Sequence, residues 1–299
     1  MSDLLASRWK GQPHRLEVWY ATVTDGATGT GVWLHHELVA RHDGSAAVHG
    51  WAALFPPGER PVMARYGPDP VCRGNDPRST WVIASAKCSW DVKWDDGGAP
   101  PLYTFPKWAW EREVLPGAQI VPVPSAVFEG TVEVAGRRLE LTDAVGNLAR
   151  IYGHGNAQRW GWLHADLGGG DVLEVVAGVP RRRGLGWLPP VPLVQLRLGG
   201  RDWPRQPLAA APLFRARLGL PHWTVRGVAG RRRLRVEVDI PADRAVAVAY
   251  TDPDGTPATC TNSETADAEI VLERWRRRWE TERRWSLGGT AHAEIGTRP

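Results

Sequence analysis

Four alternating residues in one short segment, Trp160, Trp162, His164 and Asp166, set the first chemical expectation. In an extended chain alternate side chains share a face, so two indoles, an imidazole and a carboxylate stand in a row while Gly161, Leu163 and Ala165 face away. Flat apolar walls with a few placed polar groups suit a small-molecule cavity. A packed strand in which His164 is simply hydrogen-bonded has the same spacing. Residues 31–41 repeat the pattern, with Trp33, His35, Glu37 and Val39 on one face and Val32, Leu34, His36 and Leu38 on the other. Adjacent His35 and His36 therefore point apart and cannot both ligate one metal from a regular strand. If Trp33, His35 and Glu37 face inward, burial is expected to raise the pKa of Glu37 and make it a proton donor or base. A solvated Glu37 on the outside fits the pattern equally well. Glu17 with Trp19, His49 with Trp51, and His292 with Glu294 show the same two-residue spacing. Indole faces stabilise positive charge, so these pairs fit a cavity tolerant of a developing cation or ordinary tryptophan packing with polar rims.

Rows of this kind need strands to hold them, and the composition favours strands. The 299 residues include 17 Trp against 5 Tyr and 4 Phe, with 33 Gly and 25 Pro to punctuate the chain. Residues 16–23, 31–41 and 46–55 read as three strands joined by Asp25-Gly26, Thr28-Gly29 and Asp43-Gly44, which are hairpin signals. Residues 67–124 are irregular, with strand-like pieces at 81–94 and 102–110, and suit loops over a pocket. Alternation returns at 126–134, 137–142, 159–166 and 172–177. Residues 189–198 then supply the last strand of an up-and-down barrel, whose closure removes exposed edges. Residues 199–220 read as a linker or packed crossover, and the remainder of the chain as a smaller β unit. Residues 269–285 fit a helix through Leu272, Trp275 and Trp279, with Glu273/Arg277 and Glu280/Arg284 as helix-type pairs, and also fit an alternating strand. The expectation is an all-β chain with domains at 1–199 and 200–299.

Several classes lose support. The balance of 37 basic and 33 acidic residues leaves a net charge of +4, too small a bias to imply nucleic acid. The triplets at Arg181, Arg182 and Arg183, at Arg231, Arg232 and Arg233, and at Arg276, Arg277 and Arg278 are widely separated and read as solvated turns or strand ends. Cys72, Cys88 and Cys260 are odd in number and lack metal or disulfide spacing, which points to reduced thiols and a cytoplasmic protein. The first ten residues do not read as a secretory signal, and no apolar run approaches membrane-spanning length. GxSxG, Walker A, HExxH and Rossmann glycine patterns are absent. Cofactor-free chemistry or plain binding remains.

Three stretches carry a family resemblance. Leu16-Glu17-Val18-Trp19-Tyr20 with Gly31-Val32-Trp33-Leu34-His35-His36-Glu37 resembles the first strands of the AttH-like and carotenoid 1,2-hydratase (hydroxyneurosporene synthase) group. The stretch Gly153-His154-Gly155-Asn156-Ala157-Gln158-Arg159-Trp160-Gly161-Trp162-Leu163-His164-Ala165 resembles the Gly/His run into Trp-x-Trp that this group shares with tocopherol cyclases. Ala291-His292-Ala293-Glu294-Ile295-Gly296 resembles the final strand of their second domain. The resemblance implies a double calycin, two lipocalin-like β-barrel domains in tandem with the N-terminal one larger. It implies an apolar pocket and a cyclase, isomerase or hydratase that needs no metal or redox cofactor. Members act on isoprenoids, and related proteins perform Diels–Alder cyclisation of polyketides. Hydratases carry an Asp within the Gly-rich stretch, whereas Tyr152-Gly153-His154-Gly155-Asn156 has no carboxylate. His154, Asn156 and Gln158 suit carbonyl polarisation better than alkene protonation.

The leading expectation is a cofactor-independent cyclase or isomerase of natural-product biosynthesis with a hydrophobic polyketide or isoprenoid substrate. Its candidate polar participants are Glu37, His154, Asn156 and His164, with Asp166 and Glu294 behind them. Trp19, Trp33, Trp51, Trp160 and Trp162 would wall the pocket, with His35, Tyr152 and Gln158 contributing contacts. A non-catalytic carrier of a lipid or pigment is the competing expectation. A third is an interaction protein whose tryptophans serve only packing.

Overall fold

The computed structural model describes residues 4–70, 80–113, 115–181, 184 and 186–299, so Cys72, Arg182 and Arg183 lie outside the described residues. The chain divides into two compact units, Met1–Gly155 with Thr251–Pro257, and Asn156–Tyr250 with Ala258–Pro299. The division falls after Gly155 rather than at Gly199, and strand pairing gives the reason.

In the first unit the strands are β1 (Arg15–Thr24), β2 (Gly31–Ala40), β3 (Ala46–Phe55), β4 (Val62–Pro70), β5 (Thr80–Ala84), β6 (Cys88–Asp95), β7 (Leu102–Tyr103), β8 (Gly117–Val134) and β9 (Arg137–Gly153), with one short helix, α1 (Lys107–Glu111). They form one antiparallel sheet in the order β4-β3-β2-β1-β9-β8-β6-β5, with β7 beside β8. The expected hairpins are present. Asp25 accepts from Thr28 N at 2.9 Å while Gly29 takes φ 69°, and Gly44 takes φ 84° in the turn from β2 to β3. One face builds the core from Trp19, Ala21, Val32, Leu34, Ala52, Trp81, Trp90 and Phe128. Trp33, His35 and Glu37 stand on the opposite face and are nevertheless buried.

A strap crosses from residues 4 to 9. Glu17 accepts from Ser7 Oγ at 2.8 Å, Arg8 N at 2.7 Å and Trp9 N at 3.1 Å, and is paired with Arg150. Arg150 also donates to the Leu4 and Ala6 carbonyls, and its guanidinium lies 4.7 Å from the Trp19 ring centroid. Neither charge is exposed, so each needs the other and the strap to offset its lost hydration. Glu17 and Trp19, whose indole N–H donates to the Leu5 carbonyl, are thus absorbed into structure.

The second unit contains β10 (Arg159–Asp166), β11 (Val172–Val179), β12 (Val191–Leu198), β13 (Arg201–Trp203), the short helix α2 (Pro207–Ala210), β14 (Phe214–Arg217), β15 (His222–Ala229), β16 (Arg232–Asp239), β17 (Val246–Thr251), β18 (Pro257–Trp275) and β19 (Trp279–Thr297). The order is β13-β12-β11-β10-β19-β18-β16-β15-β14, with β17 beside β18. Because β10 pairs with both β11 and β19, residues 159–198 belong to this sheet, and β12 is not the last strand of the first one. Residues 199–220 are not a linker, since they hold β13, α2 and β14. Residues 269–285 are two strands of a hairpin. Leu272 sits in the core, Trp275 pairs across with Trp279, and Arg276, Arg277 and Arg278 make the turn with Arg277 at φ 69°. Glu273 meets Arg233 on β16 at 2.5 Å instead of Arg277.

Candidate functional site

The row expected on β10 exists. Leu163 and Ala165 enter the second core, while Trp160, Trp162, His164 and Asp166 take the other face. Register places His164 between Glu174 on β11 and His292 on β19, and Trp162 between Val176 and Glu294. Trp162 Nε1 donates to Glu174 Oε1 at 2.6 Å, and His164 Nδ1 lies 3.0 Å from Glu174 Oε2. The His164 and His292 rings stack at 6.0 Å, and His292 Nδ1 lies 2.6 Å from Glu264 Oε2. A register shift in β18 between Ser263 and Ala266 accompanies Glu264 at this point.

Further along the face, Trp160 Nε1 donates to Glu294 Oε1 at 2.7 Å and the Cys260 thiol donates to Glu294 Oε2 at 3.3 Å. Gly296 makes this possible: a Cβ there would lie 1.9 Å from Trp160 Cζ2, so only glycine lets the indole lie over the neighbouring strand. Burial pushes the carboxyls of Glu264 and Glu294 up, more than the hydrogen bonds from their neighbours pull them down. Burial and the neighbouring His292 lower His164 to about 3, so its imidazole is neutral. Burial, with Glu294 close by, holds the Cys260 thiol well above its usual range. The face therefore combines carboxylic acids biased toward their protonated form with a neutral imidazole and two indoles. Asp166 closes the row in a turn, where it accepts from Gly168 N at 2.8 Å.

The first unit carries a second cluster. Glu37 Oε2 lies 3.2 Å from His35 Nε2, and Oε1 lies 2.5 Å from His49 Nε2. His35 stacks on Trp51 at 3.8 Å with the rings 8° apart, Trp33 meets Trp51 edge-on at 5.2 Å, and the Arg65 guanidinium lies 5.0 Å from the Trp51 ring. The expected rise in the Glu37 pKa does not occur. Burial raises it, but the hydrogen bonds from His35 and His49 and their charge together outweigh burial and hold it at about 2. Glu37 is therefore a carboxylate, an acceptor rather than a proton donor. Trp33 and Trp51 share this wall, whereas Trp19 belongs to the core on the opposite face of the sheet.

The Gly/His stretch has a different environment. Tyr152 and His154 line a small pocket with Arg15, Trp110 and Glu113. His154 Nδ1 lies 3.0 Å from Arg15 Nη1. Gly153 is required by backbone approach, since a Cβ there would lie 2.4 Å from Gly117 Cα. Asn156 begins the second unit, and Gln158 Nε2 donates to the Arg298 and Pro299 carbonyls at 3.3 and 3.2 Å, tying β10 to the end of β19. Sequence reasoning missed Glu174, Glu264 and, as a partner of Glu294, Cys260. A signal existed for Glu174, a single acid inside the apolar run Val172-Leu173-Glu174-Val175-Val176. None existed for Glu264, whose strand loses its alternation at the register shift. Among the described residues, no group of three or more His, Cys, Asp or Glu is arranged to hold a metal ion, and no helix is long and apolar enough to cross a membrane.

These two antiparallel sheets, each with a buried polar face, define an all-β double-calycin architecture. Residues 76–297 match the Tocopherol cyclase-like family, and the chain belongs to it. An uncharacterized protein of Mycobacterium tuberculosis H37Rv is 45% identical over 304 residues, covering 97% of this chain and 89% of its own length. Among solved structures, CghA with Sch210972 superposes with a TM-score of 0.62 at 13% identity, covering 95% of this chain and 88% of that one. Kievitone hydratase from Nectria haematococca gives 0.54 at 10% identity over 99% and 94%, and a putative AttH from Nitrosomonas europaea gives 0.52 at 14% over 95% and 92%. At such identities the likeness is one of fold.

Proposed function

We propose that this protein is a cofactor-independent cyclase, isomerase or hydratase that holds a hydrophobic polyketide or isoprenoid and acts on it by proton donation from Glu294. The observation that carries this reading is the half-buried Glu294 carboxyl, biased toward its acid form and oriented by the Trp160 indole N–H beside a second indole. A carboxylic acid in that state donates to a carbonyl oxygen or a double bond, and the indoles stabilise the positive charge that develops. The carboxylate left behind takes a proton back as the ring closes or as water adds. Holding a flexible chain in one reactive fold lowers the barrier further by removing its entropy beforehand. His164 serves this chemistry as a hydrogen-bond acceptor and Trp162 as a wall, both on the face that carries Glu294. Similarity in fold to a hydratase and membership of a cyclase-like family support the class of reaction.

Native mass spectrometry of protein from its own host, followed by organic extraction, tests the reading. A retained cyclic polyketide or terpenoid identifies the product class, and with its acyclic precursor as substrate Glu294→Gln should lower turnover by roughly 10²–10⁴-fold while binding persists. A retained unmodified fatty acid or pigment, bound equally by Glu294→Gln, would make the protein a carrier instead.

A further inference from the structure

Glu174 reaches two neighbours on β10, one with each carboxyl oxygen. Oε1 accepts the Trp162 indole N–H at 2.6 Å, and Oε2 faces His164 Nδ1 at 3.0 Å. Glu174 and His164 have no exposed side-chain surface. An indole N–H only donates, and with Glu174 as a carboxylate, which only accepts, the proton of the neutral imidazole belongs on Nδ1. Its lone pair is then on Nε2. Among the described residues, Nε2 of His164 meets no hydrogen-bond partner, although buried nitrogen lone pairs normally find a donor.

We propose that Glu174 is a positioning residue that fixes His164 in its Nδ1–H tautomer, so that Nε2 accepts a hydrogen bond from a hydroxyl of the bound substrate. The proposal rests on the reading of this polar face as the place where substrate is held. It narrows the substrate to molecules carrying a hydroxyl, since a pure hydrocarbon would leave the buried lone pair unsatisfied. It also makes a specific demand of residue 174. In Glu174→Gln the single amide oxygen is taken by the indole, and the amide NH₂ then faces Nδ1 and donates to it. The imidazole must respond by moving its proton to Nε2. Removing the indole as well, in the Trp162→Phe/Glu174→Gln double variant, frees the amide oxygen to accept from Nδ1 and restores the original tautomer.

Nitrogen-15 NMR of the imidazoles in the intact protein reads the tautomer directly, with 2-naphthol as a donor probe and 2-methoxynaphthalene as its near-isosteric control. The expected result is an unprotonated Nε2 in the wild type, shifted by 2-naphthol and not by 2-methoxynaphthalene, with 2-naphthol bound about tenfold more tightly. Glu174→Gln should protonate Nε2 and abolish the preference, and the double variant should recover both. A protonated Nε2 in the wild type, or a resonance that the two probes shift alike or not at all, overturns the proposal whether or not the variants fold. None of these readouts needs turnover, so they fail or succeed independently of the Glu294 chemistry.

Discussion

Glu37 in the first sheet and Glu294 in the second stand beside tryptophans on faces turned away from their respective cores, yet their acidities move in opposite directions. Glu37 is held at about 2 by two imidazoles, whereas burial carries Glu294 upward despite the bonds from Trp160 and Cys260. Glu264 follows Glu294, because the neighbouring His292 offsets only part of its burial. Burial therefore does not set the sign. The strength and charge of the donors that converge on the carboxylate do, since imidazoles stabilise the anion that burial penalises while a neighbouring carboxylate opposes it. One fold thus carries a permanent anion in one unit and a potential acid in the other.

The largest test of that contrast is pH. His36 and His164 are neutral in the fold, at about 4 and about 3, and bind protons readily once unfolded, near 6.5. Their depressed values stabilise the protein above 6.5, and below it each should cost about 1.4 kcal/mol per pH unit until its folded value is reached. Glu37 also contributes above its unfolded value of 4.5 and loses that contribution as pH falls toward 2. Glu264 and Glu294 act in the opposite sense, stabilising fully below 4.5 and losing that contribution as pH rises through their folded values. Urea midpoints measured from pH 4 to 9 should fall steeply on the acid side, and Glu264→Gln should remove part of the alkaline decline. A flat acid limb would break the contrast.

Smaller in effect is the pair of substitutions that compares the two carboxyls directly. Glu37→Ala strands the buried His35 imidazole and the half-buried His49 imidazole and should cost roughly 3 kcal/mol, while Glu294→Gln replaces a carboxyl biased toward its neutral form by a neutral amide and should stay within about 1 kcal/mol of wild type. Equal losses on chemical denaturation would mean that the two carboxyls share one protonation state. The smallest effect lies at the hairpin turns. The β8–β9 turn spends a glycine, Gly136, at φ 80°, but the β18–β19 turn puts Arg277 at φ 69°. Arg277→Gly should relieve that conformation and raise stability by up to about 1 kcal/mol, readable as a shift in Tm.

The sequence made local geometry legible and long-range pairing opaque. Alternation places Trp33, His35 and Glu37 on one face and Trp160, Trp162 and His164 on another, because the side-chain period of two needs no partner strand to be known. The direction of the Glu37 shift was hidden, since it depends on His49, which arrives from β3 through register alone. The unit boundary was hidden for the same reason: β10 looks like the continuation of a barrel until β19 is found beside it. The ambiguity at 269–285 had a local cause, because Leu272, Trp275 and Trp279 fit a helical face and a hairpin alike. Only pairing of β18 with β16 and β19 decides between them.

The strap over Glu17 has a consequence in time. Glu17 and Arg150 are 133 positions apart, and they meet only when β1 and β9 have paired. Until then the backbone amides of Arg8 and Trp9 have no assembled anion to bind, so the strap closes late in folding. By the same logic it is the part that opens first, through a local fluctuation that leaves the sheet intact. In hydrogen exchange the Arg8 and Trp9 amides should therefore lose protection well before those of β1, marking the final step of assembly as the first step of its reversal.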